Sequence, residues 1–263
     1  MQIDDTAVAH FQEHGFAIVR GLVPDEVCDE VVGAFLSEVK PYPGPLPRQL
    51  DDRSAPHALS DDGYVTNPVV HPNRLQAFET FRGIEVKVMR ASLLVPTVAA
   101  LLGQPPALLQ SAYYESGTGT IGHLDIHPFV SSHPMIGAWI ALEDIGEGAG
   151  RFFVYPGSHR LPRDERWEQF RQIAWAVYRA DVDAEGVEDA TAAAIQLLDA
   201  MTEEHGLTRH VPALQRGDAV LWSNDVVHGS LRPDPGGGSR HSLLMHFMAL
   251  ADVAERVAPI PGT

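Results

Sequence analysis

A chain of 263 residues that is 44% hydrophobic can bury one sizeable core, so a single domain over 1–263 is expected. Its formal net charge is -16, and no dense Lys/Arg cluster offsets it locally, which argues against nucleic acid and anionic membrane as partners. Cys28 is the only cysteine, which excludes an intrachain disulfide and a thiolate-rich zinc or iron–sulfur site.

The first residues, MQIDDTAVAHFQEHG, are acidic and amphipathic where a secretory signal needs a basic start and an apolar run. No stretch approaches the roughly 20 apolar residues of a membrane span. A soluble, cytoplasmic protein with a small-molecule partner is expected. Asp5 or Thr6 can cap a first helix that stops at Gly15, and the β-prone FAIV follows. Pro24 and Asp25 open a second helix in which Val27, Val31, Phe35 and Val39 recur at every fourth position, marking one buried face. Residues 41–63, rich in Pro, Asp and Ser, read as a long surface loop. Helical text resumes from about Asn73 to Leu102 with a break expected at Pro96.

From about Pro106 the period changes to short runs rich in Val, Ile, Phe, Tyr and Trp, punctuated by Gly, Pro and Asp. The expected strands are ALLQSAYY, TIGHLDIH, MIGAWIALED, GRFFVYPG, GDAVLWSND, VVHGS and RHSLLMHFMAL. Short strands of this kind suggest a sandwich or jelly roll. Residues 160–208 interrupt them with helical text, and 181–208 hold eight acidic residues and no Lys or Arg. Trp167, Phe170, Ile173, Trp175 and Val177 give this insertion an apolar face, and a cover over the mouth of the fold is expected from it.

Three features carry chemistry. His123 and Asp125, two apart on a strand, would aim an imidazole and a carboxylate at one cavity. With 13 histidines, His-x-Asp arises by chance about once in such a chain, so the motif needs support. His228 offers a third ligand, and two His with one carboxylate leave three open positions, a set suited to Fe(II) and O₂ chemistry. The segment LRPDPGGGS separates Ser230 from Arg240 and reads as a hairpin connection, which would make those two residues cross-strand neighbours on the wall that carries His228. Arg grips a carboxylate with a planar fork and Ser adds a donor, so a dicarboxylate such as 2-oxoglutarate could chelate the metal at one end and meet Arg240 at the other. A zinc hydrolase could use the same three ligands but leaves Ser230 and Arg240 unexplained. A non-catalytic binding protein would not need the triad and Arg240 together.

These segments together resemble the phytanoyl-CoA dioxygenase family of Fe(II)/2-oxoglutarate enzymes. The resemblance runs through FQEHGFAIVRGLVPDEVCDEV, GHLDIHPF, WIALEDIGEGAGRFFVYPGSHR, GDAVLWSNDVVHGS and the Arg of GGGSRHS. It implies a mainly β protein with helices: a double-stranded β-helix, the cupin-like jelly roll, with N-terminal helices against one sheet. It implies His123, Asp125 and His228 as iron ligands, Arg240 and Ser230 at the distal carboxylate of 2-oxoglutarate, and O₂ as the oxidant of a substrate C–H bond. Gln110, Tyr113 and Tyr114 are candidate further contacts to the cosubstrate, each equally explained by core packing, and Trp139 is either beside the cosubstrate or a core residue. His127 and His133 read as substrate-side or structural, His159 as structural, and His246 as pocket-lining or structural. Hydroxylation is the default outcome. Family members that halogenate lack the metal carboxylate, so Asp125 points away from halogenation.

Overall fold

In the computed structural model, residues 5–48, 54–125, 134–178 and 186–257 are described. The helix α1 (Asp5–His14) leads into β1 (Phe16–Val19), and α2 (Asp25–Ala34) continues as a π-helical turn over Phe35–Val39. Apolar residues four apart drift around an α-helix because a turn holds 3.6 residues. The wider i→i+5 turn, in which Lys40 N–H donates to Phe35 O at 2.9 Å, slows that drift. Val27, Val31, Phe35 and Val39 are all buried as a result.

The segment expected to be a surface loop contains a small ladder of β2 (Leu46–Pro47) and β3 (Ser54–Ala55). It is held by buried Arg48, which donates to Ala55 O at 3.1 Å and Asn67 O at 2.8 Å. A short β4 (Val69–Val70) and the helices α3 (Ile84–Ala91) and α4 (Leu94–Leu102) follow. The break between these helices falls at extended Ser92, not at Pro96. Pro96 lies in the first turn of α4, where its missing N–H has no helical partner to lose.

The remaining strands are β5 (Pro106–Tyr114), β6 (Met135–Ala141) and β7 (Phe152–Val154). The insertion then forms α5 (Glu165–Tyr178) and α6 (Gly186–Glu204). After it come β8 (Ala219–Ser223), β9 (His228–Ser230), β10 (Ser242–Ala249) and α7 (Leu250–Val257). The large sheet has the order β1-β8-β6-β10-β5-β4, with antiparallel pairs throughout. Facing it, β7 pairs with β9, and bridges extend this small sheet to His123 on one side and His210 on the other. In its described residues, 120–125, the segment TIGHLDIH is therefore not a regular strand: it joins the sheet at His123. Two facing antiparallel sheets give the jelly-roll arrangement, without closure into a barrel among the described residues.

Four layers result. One face of the large sheet, with Ile136, Ala138, Ile140, Leu221, Leu243, Met245 and Phe247, packs under α2, α3 and α4. The alternate residues Trp139, Ala141, Val220, Trp222 and Leu244 face Phe152 and Val154 of the small sheet. The outer face of the small sheet, with Phe153, Tyr155 and Val227, packs on Trp167, Phe170, Leu198 and Met201 of the insertion. In its described residues, the apolar face of α5 and α6 is buried behind the small sheet. Each such side chain contributes about 1.5–3 kcal/mol through removal from water, which fixes the helices there. Among the described residues, no helix is long and apolar enough to cross a membrane.

Gly137 sets the spacing at the centre of the large sheet, since a Cβ there would lie 2.3 Å from two atoms of the Trp222 ring. Gly137→Ala should accordingly destabilise the protein by about 1–3 kcal/mol, as overpacking of a well-filled core does. A lowered midpoint in chemical denaturation checks this.

Candidate active site

The site starts from a backbone pairing. His123 N–H donates to His228 O at 2.9 Å and His228 N–H donates to His123 O at 3.1 Å, which sets the two residues directly opposite each other. Their rings lie 4.4 Å apart between centroids. Each ring is then oriented in the same way: Nδ1 of His123 lies 2.9 Å from Ile121 O and Nδ1 of His228 lies 3.0 Å from Val226 O. A carbonyl accepts, so each Nδ1 carries the proton and each Nε2 presents a lone pair. Asp125 completes the group, with Oδ1 3.8 Å from Nε2 of His123 and Oδ2 3.4 Å from Nε2 of His228. One ligand atom from each of the three residues lies within 4.8 Å of the others.

The electrostatics suit a cation. Burial, opposed only in part by Asp125, pushes His228 down to about 4, so this imidazole is neutral near pH 7. Burial alone would raise Asp125, but His228, His246 and His123 hold it well below the usual carboxylate range. Two imidazole nitrogens and one ionised carboxylate form a donor set that fits a divalent iron ion and leaves three positions open.

Arg240 lines the same cavity. It is 2% exposed, its Nη1 donates to Gly150 O at 2.7 Å, and its Nε has no partner. Its guanidinium carbon lies 5.6 Å from the ring centroid of Tyr114 and 5.5 Å from that of Trp139. Burial lowers it to about 10, which still leaves it charged at neutral pH. Among the described residues no acidic side chain pairs with it. A buried, charged guanidinium with an orphan donor is costly unless an anion meets it, and a carboxylate of 2-oxoglutarate fits that need.

Ser230 lines the same cavity, its Oγ accepting from Thr120 N–H at 3.1 Å. Ser230 and Arg240 are not cross-strand neighbours, however. Strand β9 pairs with β7 in the small sheet, while β10 pairs with β5 and β6 in the large one. The Pro/Gly-rich connection between them crosses from one sheet to the other, and both residues line the cavity. Trp139, Tyr114, Phe152, Leu244, Thr118 and Thr120 complete the lining.

Two of the residues proposed for the cosubstrate lie elsewhere. Tyr113 points away from the cavity into the helix-covered core, stacked on Phe35 at 4.4 Å with its hydroxyl 2.7 Å from Nδ1 of His241. Successive strand residues face opposite sides, so Tyr114 takes the cavity side instead. Gln110 reaches His246 at 2.8 Å rather than the cavity. His246 lines the pocket and lies 3.0 Å from Asp125 Oδ2. Sequence reading passed over Trp222, whose Nε1–H donates to Asp125 Oδ2 at 2.8 Å. The available signal was its position in β8, alternating with residues of the helix-covered face. His127 and His133 lie outside the described residues.

The PGSH segment acts from behind. The buried Ser158 Oγ accepts from Val227 N–H at 2.8 Å, and Tyr155 N–H donates to Val227 O at 2.9 Å. Both backbone groups of the residue preceding His228 are thus held. His159 packs against Gly15 at the end of α1, a structural place.

Facing sheets with a His-Asp-His group and a buried arginine lining one cavity define a 2-oxoglutarate-dependent non-haem iron dioxygenase. Residues 11–242 match the phytanoyl-CoA dioxygenase (PhyH) family, and the chain belongs to that family. The peroxisomal phytanoyl-CoA dioxygenase of Bos taurus is 23% identical over 96% of this chain and 70% of its own length. Among solved structures, the epimerase SnoN in complex with Fe³⁺, α-ketoglutarate and nogalamycin RO superposes with a TM-score of 0.58 at 18% identity, covering 98% of this chain and 90% of that one. EctD from S. alaskensis with 2-oxoglutarate and 5-hydroxyectoine gives 0.58 at 17%, covering 95% and 77%.

Ser158→Ala removes the acceptor of a buried N–H beside the ligand strand. A loss of about 1–3 kcal/mol of stability is expected from the unpaired group, to be read from the denaturant midpoint.

Proposed function

We propose that this protein hydroxylates a C–H bond of a small organic molecule, in a biosynthetic setting, with conversion of 2-oxoglutarate and O₂ to succinate and CO₂. The observation that carries the reading is the pairing of two sites in one cavity: a His–His–carboxylate group and the buried guanidinium of Arg240, whose Nε has no partner. A zinc hydrolase or a passive binding protein on this frame gives no reason to bury that guanidinium. Similarity to SnoN and EctD, whose structures hold 2-oxoglutarate, supports the same cosubstrate here.

His123, Asp125 and His228 would hold the iron. Bound iron would let O₂ and 2-oxoglutarate react together, placing one oxygen atom of O₂ in succinate and the other in the hydroxylated substrate. The chain's own residues set the conditions for this. The Nδ1–H groups of His123 and His228 donate to backbone carbonyls, which keeps both Nε2 lone pairs available to a metal. Arg240 would take the distal carboxylate of 2-oxoglutarate, with Ser230 adding a hydroxyl donor, so the cosubstrate is oriented from both ends. Tyr114, Trp139 and Phe152 exclude water around it.

Succinate formation should require Fe(II), 2-oxoglutarate and O₂, and should vanish in His228→Ala. Arg240→Ala should raise the KM for 2-oxoglutarate by at least about 10-fold, the effect of losing a charge-assisted carboxylate contact, with Arg240→Lys restoring only part of it. An unchanged 2-oxoglutarate requirement in Arg240→Ala would place the anchor elsewhere.

A further inference from the structure

Four residues of the large sheet form one row across four strands. Gln110 of β5 is paired with His246 of β10, His246 with Gly137 of β6, and Gly137 with Trp222 of β8. The register of β5 shifts beside this row, between the partners of His246 and Phe247, a bulge of the kind that re-aims a side chain. Gly137, without a Cβ, leaves space into which the indole leans. The rings of Trp222 and His246 meet edge to face at 6.1 Å, and both direct a nitrogen at the carboxylate that projects from the opposing side.

The two nitrogens reach the same oxygen. Trp222 Nε1–H donates to Asp125 Oδ2 at 2.8 Å, and His246 Nε2 lies 3.0 Å from it. The amide Nε2 of Gln110 lies 2.8 Å from His246 Nδ1 and donates to it, which leaves the ring proton on Nε2 and makes that atom a donor. A carboxylate oxygen offers about two lone-pair positions, so both positions of Oδ2 are occupied. Among the described residues no donor reaches Oδ1. Distance alone does not decide which oxygen faces a metal, because Oδ2 lies 3.4 Å from His228 Nε2 and Oδ1 lies 3.8 Å from His123 Nε2. Lone-pair occupancy decides it.

We propose that Gln110, His246 and Trp222 form a clamp that restricts Asp125 to binding metal through Oδ1 alone. This deepens the function proposed above and rests on it. A carboxylate free to rotate can bind through both oxygens and take a position that 2-oxoglutarate and O₂ need. One pinned by two N–H donors cannot. Trp222 and His246 are positioning residues, acting through Asp125, and Gln110 acts at one remove by orienting His246.

The test uses Co(II) as the probe, added to metal-free full-length protein, with calorimetry for affinity and the visible d–d absorption for coordination. Trp222→Phe and His246→Leu should each weaken Co(II) binding by about 10-fold to 100-fold, the usual effect of losing a hydrogen-bond partner of a ligand, and should change the d–d spectrum. His246→Gln, which can return an N–H to the same place, should recover most of both. Gln110→Leu should shift the spectrum in the same direction by less. Gln110 is exposed, so this variant carries the test if a buried substitution prevents folding. Folded variants with Co(II) affinity within about twofold of the parent and an unaltered spectrum would overturn the clamp and leave the row as packing. His228→Ala separates the two ideas. If it binds Co(II) as the parent does, the metal site itself is wrong and the clamp falls with it. If it loses Co(II) while the clamp variants do not, the clamp alone fails.

Discussion

The two hydrogen bonds exchanged between the backbones of His123 and His228 are the constraint on which the rest of the site depends. They bring together residues a hundred positions apart in the chain and face their imidazoles into one cavity. Everything behind that pair serves to keep it in register. Ser158 and Tyr155 hold both backbone groups of Val227. Gly229 allows the approach of the neighbouring segment, since a Cβ there would meet Thr120 O at 2.6 Å. Helix α6 lies directly behind, with Leu198 against Gly122. The insertion is thus a buttress for the ligand-bearing sheet in its described part, and its acidic residues face outward on α6 at Glu188, Asp189, Asp199 and Glu203.

The small sheet and its bridge at His123 carry the two candidate metal-ligating histidines, and the large sheet supplies groups that face them. Arg240, Trp139, Trp222 and His246 all belong to the large sheet or its margin, while His228, Ser230 and Phe152 belong to the small one. The site therefore exists only when the two sheets pack, and the apolar contacts between them tie stability to function. A strongly acidic chain also places the buried Arg240 where no acidic side chain among the described residues answers it. That arrangement favours an incoming carboxylate over internal neutralisation.

Part of this was legible in the sequence because the candidate pair His123 and Asp125 lies in one short-range pattern. His-x-Asp, the PGSH turn and the spacing of apolar residues in α2 are local, and local patterns survive folding. Trp222 and the choice of Tyr114 over Tyr113 were not legible. In a sheet buried on both faces, alternation divides the residues into two sets without saying which set faces the cavity. The relation of Ser230 to Arg240 failed for a different reason. A turn-rich connection reads the same whether it returns the chain to its neighbour or carries it to the facing sheet, and only the partners of β9 and β10 tell the two apart. The place of the insertion was equally ambiguous, because an apolar helix face specifies that something is covered and not which surface.

The central claim is that one cavity joins a metal site to a carboxylate anchor. Calorimetric titration of 2-oxoglutarate into the protein with and without Mn(II), under conditions where no turnover occurs, tests it most directly. A single binding event that is markedly tighter in the presence of Mn(II) is the predicted result, since the cosubstrate would then be held at both ends. Equal affinity with and without the metal, or no binding in either state, would contradict the account.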